Sequence, residues 1–530
     1  MSPSAPFDSP GNGRWLLATL AAVALVQAGF LLLPGPFWDG WIYHVLFERH
    51  ARQAFMDPFV ANGRPLGGWI LWWAMTLLGV TMGPKLVSAA ALLGAAAALF
   101  CALRVRERLP PSGAFLVAVI AVTVPATQTA LSSSALQFFA GFLAYFCGLY
   151  AFSLAAARAG ACRALLYAVA LALAACSVML AEASLALLPV YPLAWLVVQR
   201  GWGELANWRA TLRALLLHSG PLLAGAVALL ATFWLFPTLG TYEGAHRVQA
   251  NPLEWLKVGG LFAVALAGSE LLLLLGLAWV ARTGTPLGAF KSSALLGALA
   301  VLALGILPYL AGGRWPAILG WGTRTLLFSG LGLGLAAWVL LRHWTEALPA
   351  RRQRNALWLL CVAAIACTLC RIPLWAARQV RDDGLRVALT QGPIPAQTDA
   401  IWIHDPTWLI ASPYRFYEST ALVQLATGRS DLLALAAAPD EAAALAEADH
   451  SLRKEHRLVT GNRKPLCQAD LTIGPLPVTW PASATIGLLR RAFSSQEAYT
   501  HWLRGRVPVQ IALRKGCGQP ETAKTAIKEN

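Results

Sequence analysis

Apolar runs of about 20 residues follow one another along this chain, and they constrain the kind of molecule it can be. A helix rises 1.5 Å per residue, so a run of that length spans about 30 Å, the thickness of a bilayer's hydrocarbon core. With 57% hydrophobic and 13% charged residues, the chain reads as an all-α polytopic membrane protein. The first run, "WLLATLAAVALVQAGFLLLP", is longer than the roughly 7–15 apolar residues of a signal peptide, and no small-residue cleavage site follows it. It is expected to stay as a signal anchor.

Candidate spans lie near 15–33, 66–82, 85–103, 112–129, 136–157, 164–181, 183–199, 216–236, 256–281, 292–310, 324–342 and 356–377. Basic residues favour cytoplasmic loops. Five loops carry them: "RVRER" (104–108), "RAGACR" (158–163), "RGWGELANWRATLR" (200–213), "RTGTPLGAFK" (282–291) and "RHWTEALPARRQR" (342–354). From residue 104 onward, simple alternation puts all five inside and the C-terminus outside. Upstream the parity fails if the N-terminus is inside and every run crosses. The run at 66–82, "LGGWILWWAMTLLGVTM", is short and rich in tryptophan, which prefers the membrane–water interface. It is expected to be an interfacial or re-entrant helix on the outer face. About 11 spans then remain, with one large outer loop over 34–84.

The expected organisation is a transmembrane domain over 1–377 and a soluble, outer-face domain over 378–530. The second is expected to be a small mixed α/β fold. It has helix-like "DEAAALAEADHSLRKEH" and "SSQEAYTHWLRG" and β-like "LTIGPLPVTW" and "VPVQIALRKGC". The formal charge of +16 is carried mostly by the short loops, and no basic stripe with interleaved aromatics marks a nucleic-acid face. Seven of the nine cysteines lie in or beside apolar runs and read as packing residues. Cys467 and Cys517 could pair if the C-terminal region faces an oxidising compartment. There is no CxxC, metal-spaced Cys/His cluster, P-loop, dinucleotide fingerprint or nucleophilic Ser/His/Asp arrangement. That pattern argues against cytoplasmic nucleotide chemistry.

The scarce charge gathers in "WDGWIYHVLFERHARQAFMDPFVANGRPL", residues 38–66, directly after the first span. "WIYHVLFERHARQAFM" reads as one amphipathic helix, with Trp41, Val45, Leu46 and Phe55 toward lipid or core. His44, Glu48 and Arg52 share the other face at i, i+4 and i+8. Asp39 reads either as a helix N-cap or as a functional carboxylate, and Glu48 and Arg52 as a solvated ion pair. "MDP" at 56–58 reads as a helix stop.

An Asp just past an apolar first helix, an amphipathic helix, and then "NGRPLGGWILWWAMTLLG" resemble the first outer loop of GT-C membrane glycosyltransferases. That class includes lipid A aminoarabinose transferases and protein O-mannosyltransferases. The likeness is greater to bacterial transferases that move a sugar from a polyprenyl phosphate onto a surface polysaccharide. "MLAEASLALLPVYPL" (179–193), "LPYLAGGRWPAILGWGTRTLL" (307–327) and "SPYRFYESTALVQLATGRSDL" (412–432) resemble later segments of those enzymes. The resemblance implies a bacterial inner-membrane enzyme with a periplasmic site, a polyprenyl-phosphate sugar donor, a glycan, lipid or protein acceptor, and inversion at the sugar. Here Asp39 is followed by Gly40 where the commoner pattern has a second acidic residue, so use of a divalent cation is left open.

By that resemblance Asp39 is the general base. Arg64, Arg314 and Arg324 are candidates for the donor phosphate, since each falls in an outer loop near a helix end and arginine's planar fork suits phosphate. Each reads equally as an interfacial snorkelling cation. His44, Glu48 and Asp57 in the first loop join the candidate substrate contacts. Glu182, at the tip of a hairpin between two apolar runs, reads as an exposed turn or as a carboxylate orienting sugar or acceptor. His246, with Glu243 and Arg247, reads as a sugar contact or a solvated loop. "PYRFYE" (413–418) combines aromatic and charged residues suited to carbohydrate, and also begins an ordinary amphipathic helix. The rival functions are a lipid-linked sugar flippase and a polysaccharide ligase or polymerase. A flippase would place polar, broken helices near the midplane in two repeated halves, and no such repeat is visible.

Overall fold

The computed structural model describes residues 10–33, 35–238, 251–284, 292–392, 394–406, 416–438, 440–452, 458–459, 467–476, 479–493 and 495–514. Eight of its helices are long and apolar enough to cross a membrane, and three bent pairs bring the number to 11 if each pair is one span. This is a multi-pass helical membrane protein with a small C-terminal sheet. The expected count of spans is met, and each span falls on its apolar run. The tryptophan-rich run forms a 14-residue helix, Pro65–Leu78, which falls short of that length. At 1.5 Å per residue it extends about 21 Å.

The described residues divide into two compact units, one of Met1–Pro34 and Phe59–Ile372, the other of Gly35–Pro58 and Pro373–Asn530. Helices α1 (Pro10–Leu31), α2 (Gly40–Glu48), α3 (Arg52–Ala61) and α4 (Pro65–Leu78) open the chain. Then come α5 (Met82–Arg104), α6 (Pro111–Thr123), α7 (Leu136–Ala157), α8 (Gly160–Leu180), α9 (Val190–Arg200), α10 (Trp208–Leu217) and α11 (Gly220–Leu235). Next are α12 (Pro252–Ser269), α13 (Leu271–Thr283), α14 (Ser292–Ala311), α15 (Gly330–Thr345), α16 (Ala350–Leu369) and α17 (Ile372–Gln391).

In the first unit, α7 packs against α5 and α8 around Phe139, Phe142, Phe146 and Phe152. The alternating glycines of "GLGLGL" let α15 wedge between two neighbours. Gly330 and Gly334, one turn apart, meet α6: an added Cβ would lie 2.5 Å from the Ala121 oxygen and 2.8 Å from the Val117 oxygen. Gly332 between them meets the backbone of Leu302 on α14. Lipid offers no hydrophobic gain on helix association, so such close backbone approach is what holds helices together there.

Hydrogen bonds sort the loops of this unit into two groups. Arg108 donates to the Val198 oxygen at 2.9 Å, Trp202 donates to the Arg108 oxygen at 2.8 Å, and Arg106 donates to the Ala157 oxygen at 3.4 Å. The basic loops at 104–108, 158–163 and 200–213 therefore share one side. Another group joins Gln128 to Thr323 at 3.2 Å and Arg371 to the Ile318 oxygen at 3.3 Å. The run at 256–281, a candidate span, bends by 77° between α12 and α13. Glu270 occupies the break, buried beside the charge of Arg371, which also donates to the Ser269 oxygen at 3.4 Å.

The second unit contains a four-stranded sheet in the order β2-β1-β3-β4, from β1 (Ala400–His404), β2 (Leu433–Ala436), β3 (Gln468–Ile473) and β4 (Val509–Leu513). The first three are parallel and β4 is antiparallel to β3. Helices α18 (Phe416–Thr427), α19 (Glu441–His450), α20 (Trp480–Phe493) and α21 (Gln496–Arg504) complete it. The apolar side of α2 is buried here: Trp41, Val45 and Leu46 are all at most 2% exposed. On α17, Asp383 accepts from the Tyr499 hydroxyl and from Arg491, both at 2.9 Å. Cys467 is disulfide-bonded, the other described cysteines are free, and Cys517 lies outside the described residues.

Candidate functional site

Each unit carries its own polar cluster. In the second, the segment expected as one helix over 41–56 is two, because the chain turns at Arg49–Ala51 with His50 at φ +54°. That break ends the expected shared face of His44, Glu48 and Arg52. His44 Nε2 and Glu48 Oε1 instead lie 2.8 Å apart within α2. Nor does "MDP" stop a helix: α3 runs through Pro58 to Ala61, and Asp57 is half-buried on it.

Asp39 stands at the N-cap position of α2, yet its side chain makes no capping hydrogen bond, and its φ and ψ of −57° and −16° are already helical. A capping residue takes extended dihedrals and turns its oxygen to the helix N–H groups. Asp39 Oδ1 instead accepts from the Tyr417 hydroxyl of α18 at 2.9 Å. The residue before it, Trp38, is held at φ +48°, in a region a bulky side chain rarely enters. Its buried ring packs edge-on against Trp375, centroids 4.5 Å apart. Strain of this kind costs on the order of 1–3 kcal/mol and persists where surrounding packing enforces it. At the other end of α2, Arg49 donates to Gln424 Oε1 and to the Leu458 oxygen, both at 2.7 Å. Among the "PYRFYE" residues, Tyr414 and Arg415 lie outside the described residues, as does His246, and Glu418 is buried 3.9 Å from Arg378.

Burial lowers the His44 pKa. The hydrogen bond and charge of Glu48 oppose that shift, and the charge of Arg386 adds to it. Between the ordinary value near 6.5 and the lower folded one, the unfolded chain binds more protons. The neutral imidazole thus contributes stability above about pH 6.5, which is lost as pH falls through the folded value. The melting temperature of purified protein is expected to drop from pH 7 to pH 5, with a shallower slope for His44→Gln. Equal slopes would mean His44 titrates alike in both states.

In the first unit, Arg64 precedes Pro65 at the start of α4 and forms an ion pair with Glu182. Glu182 opens the turn Glu182–Leu187 that follows α8. Glu182 is half-buried in this pair. The Arg64 guanidinium lies over the Phe138 ring at 5.1 Å, while its Nε is buried with no hydrogen-bond partner among the described residues. The charges of Glu182, Arg324 and Arg64 all act on the Tyr309 hydroxyl, so these four groups form one neighbourhood. Arg324 is half-buried; Arg314 is exposed. Tyr309, and Lys85, which is buried and donates to the Leu33 oxygen, escaped sequence reasoning. A lone lysine at the start of a 23-residue apolar helix was the available signal for the second. Among the described residues no group of three or more His, Cys, Asp or Glu side chains is arranged to hold a metal ion.

Among solved structures, the chain is similar to ArnT from Cupriavidus metallidurans. The structure bound to undecaprenyl phosphate gives 13% identity and a TM-score of 0.45, and the apo structure gives 14% and 0.44. Each comparison covers 89% of this chain and 95% of the other. No family model matches the chain, and neither does any curated protein.

Proposed function

We propose that this protein is an integral membrane glycosyltransferase that moves a sugar from a polyprenyl-phosphate carrier to an acceptor hydroxyl on the outer face of the bacterial inner membrane. The observation that carries the reading is the Asp39 carboxylate, which is not used as a helix cap, is gripped by Tyr417 and follows a strained tryptophan. Its place in the first loop matches the position of the acidic residue that the sequence resemblance makes the base.

Asp39 takes the proton of the acceptor hydroxyl as the hydroxyl oxygen attacks the anomeric carbon. The bond from that carbon to the phosphate oxygen breaks, its electron pair leaves with the polyprenyl phosphate, and the sugar inverts. A positioned base contributes about 10²–10⁴-fold to such a step. Negative charge builds on the departing phosphate, where a cation lowers the barrier. Arg64 fits that role, with Arg324 as a second cation in the same neighbourhood. A buried guanidinium donor without an acceptor costs roughly 1–3 kcal/mol, which a phosphate oxygen would relieve. The disulfide at Cys467 fits a C-terminal domain in an oxidising periplasm.

Purified protein in nanodiscs, given a panel of undecaprenyl-phosphate hexoses and pentoses and a crude envelope glycan, is expected to release undecaprenyl phosphate with one donor. Absence of release from every donor would overturn the reading in favour of lipid movement or glycan ligation.

A further inference from the structure

We propose that Tyr417 is a positioning residue for the base, so that helix α18 of the C-terminal domain sets the aim of Asp39; this deepens, and rests on, the reading of Asp39 above. Tyr417 and Gln424 are seven residues apart on α18, two helical turns, and so lie on one face. Together they hold both ends of α2. Tyr417 donates to Asp39 at its start, and Gln424 accepts from Arg49 at its finish. Helices α2 and α18 also pack against each other.

The frame behind α18 is itself fixed. Thr420 Oγ1 donates to the Ala434 oxygen and accepts from the Ala434 N–H, each at 2.9 Å, which locks α18 onto β2. Gln424 Nε2 donates to the Leu432 and Ser430 oxygens at 3.1 and 3.2 Å, so the side chain that receives Arg49 is held from behind. Glu418, buried beside Arg378, adds a further tie to α17. A phenol delivered from so rigid a support restricts the two side-chain torsions of Asp39. The carboxylate then need not be ordered at the moment of reaction, which is where positioning contributes to rate. A helix cap would have aimed the same oxygen at the backbone of α2.

The test compares wild type, Tyr417→Phe, Asp39→Asn and the double variant in the undecaprenyl-phosphate release assay, with melting temperatures measured on the same samples. Tyr417→Phe keeps the ring and loses only the hydroxyl. A fall of about 10–100-fold in kcat is expected, with the donor KM within about twofold, an unchanged melting temperature, and no further loss when the change is added to Asp39→Asn. A purely structural tyrosine would lower the melting temperature or add its loss to that of Asp39→Asn, and either result overturns the proposal. Normal kcat for Tyr417→Phe beside an inactive Asp39→Asn overturns the positioning role and leaves the base in place. Full activity of Asp39→Asn overturns both.

Discussion

Asp39→Asn is expected to lose transfer by about 10²–10⁴-fold, the range a general base contributes, at unchanged expression and melting temperature. The amide keeps the shape of the carboxylate and can still accept the Tyr417 hydroxyl at the position of Oδ1. Since Asp39 does not cap α2, its substitution does not release that helix N-terminus. Asparagine caps a helix as well as aspartate does, so stability stays intact on either account and transfer alone separates them. Transfer falls if Asp39 is the base and holds if it only caps. Normal turnover by the variant would end the catalytic assignment.

Arg64→Gln should raise the donor KM by about 10–100-fold, the equivalent of one charge-assisted hydrogen bond. It should also lower kcat, because negative charge grows on the phosphate as the sugar departs. Lysine in its place should recover little, since a point charge lacks the planar fork. Substitution also leaves Glu182 without its cation near the membrane, so some loss of stability accompanies it. The double variant Arg64→Gln/Glu182→Gln separates the effects. It should regain the melting temperature and keep the raised KM. A donor KM unchanged in the single variant would remove Arg64 from the phosphate site.

The spans were legible because a bilayer demands about 20 apolar residues at each crossing, and the chain supplies little else. The short helix Pro65–Leu78 was legible for the same reason, by falling short. The bend at Glu270 was visible only as one carboxylate in the middle of the apolar run 256–281, a signal that does not say which way a helix turns. The break of the 41–56 segment at His50 had no signal at all. No glycine or proline stands at 49–51, and a histidine carries the left-handed dihedral because the fold around it requires this. Asp39 stood out as a charge after an apolar run, but its partner Tyr417 lies 378 residues away. Arg64 and Glu182 were each picked from their loops, while their pairing across 118 residues was not. Contacts of that range arise from packing, and a local pattern does not encode them.

The split make-up of the second unit has a consequence for biogenesis. Residues 35–58 leave the ribosome roughly 300 residues before the chain at 373–530 that completes their unit. At about 5–20 residues per second, that is a wait on the order of 15–60 s. Throughout it Trp41, Val45 and Leu46 lack the partners that bury them. The interval is a natural point for chaperone capture. A message cut short between α17 and α18 yields a protein with every span but with a first loop that never finds its clamp.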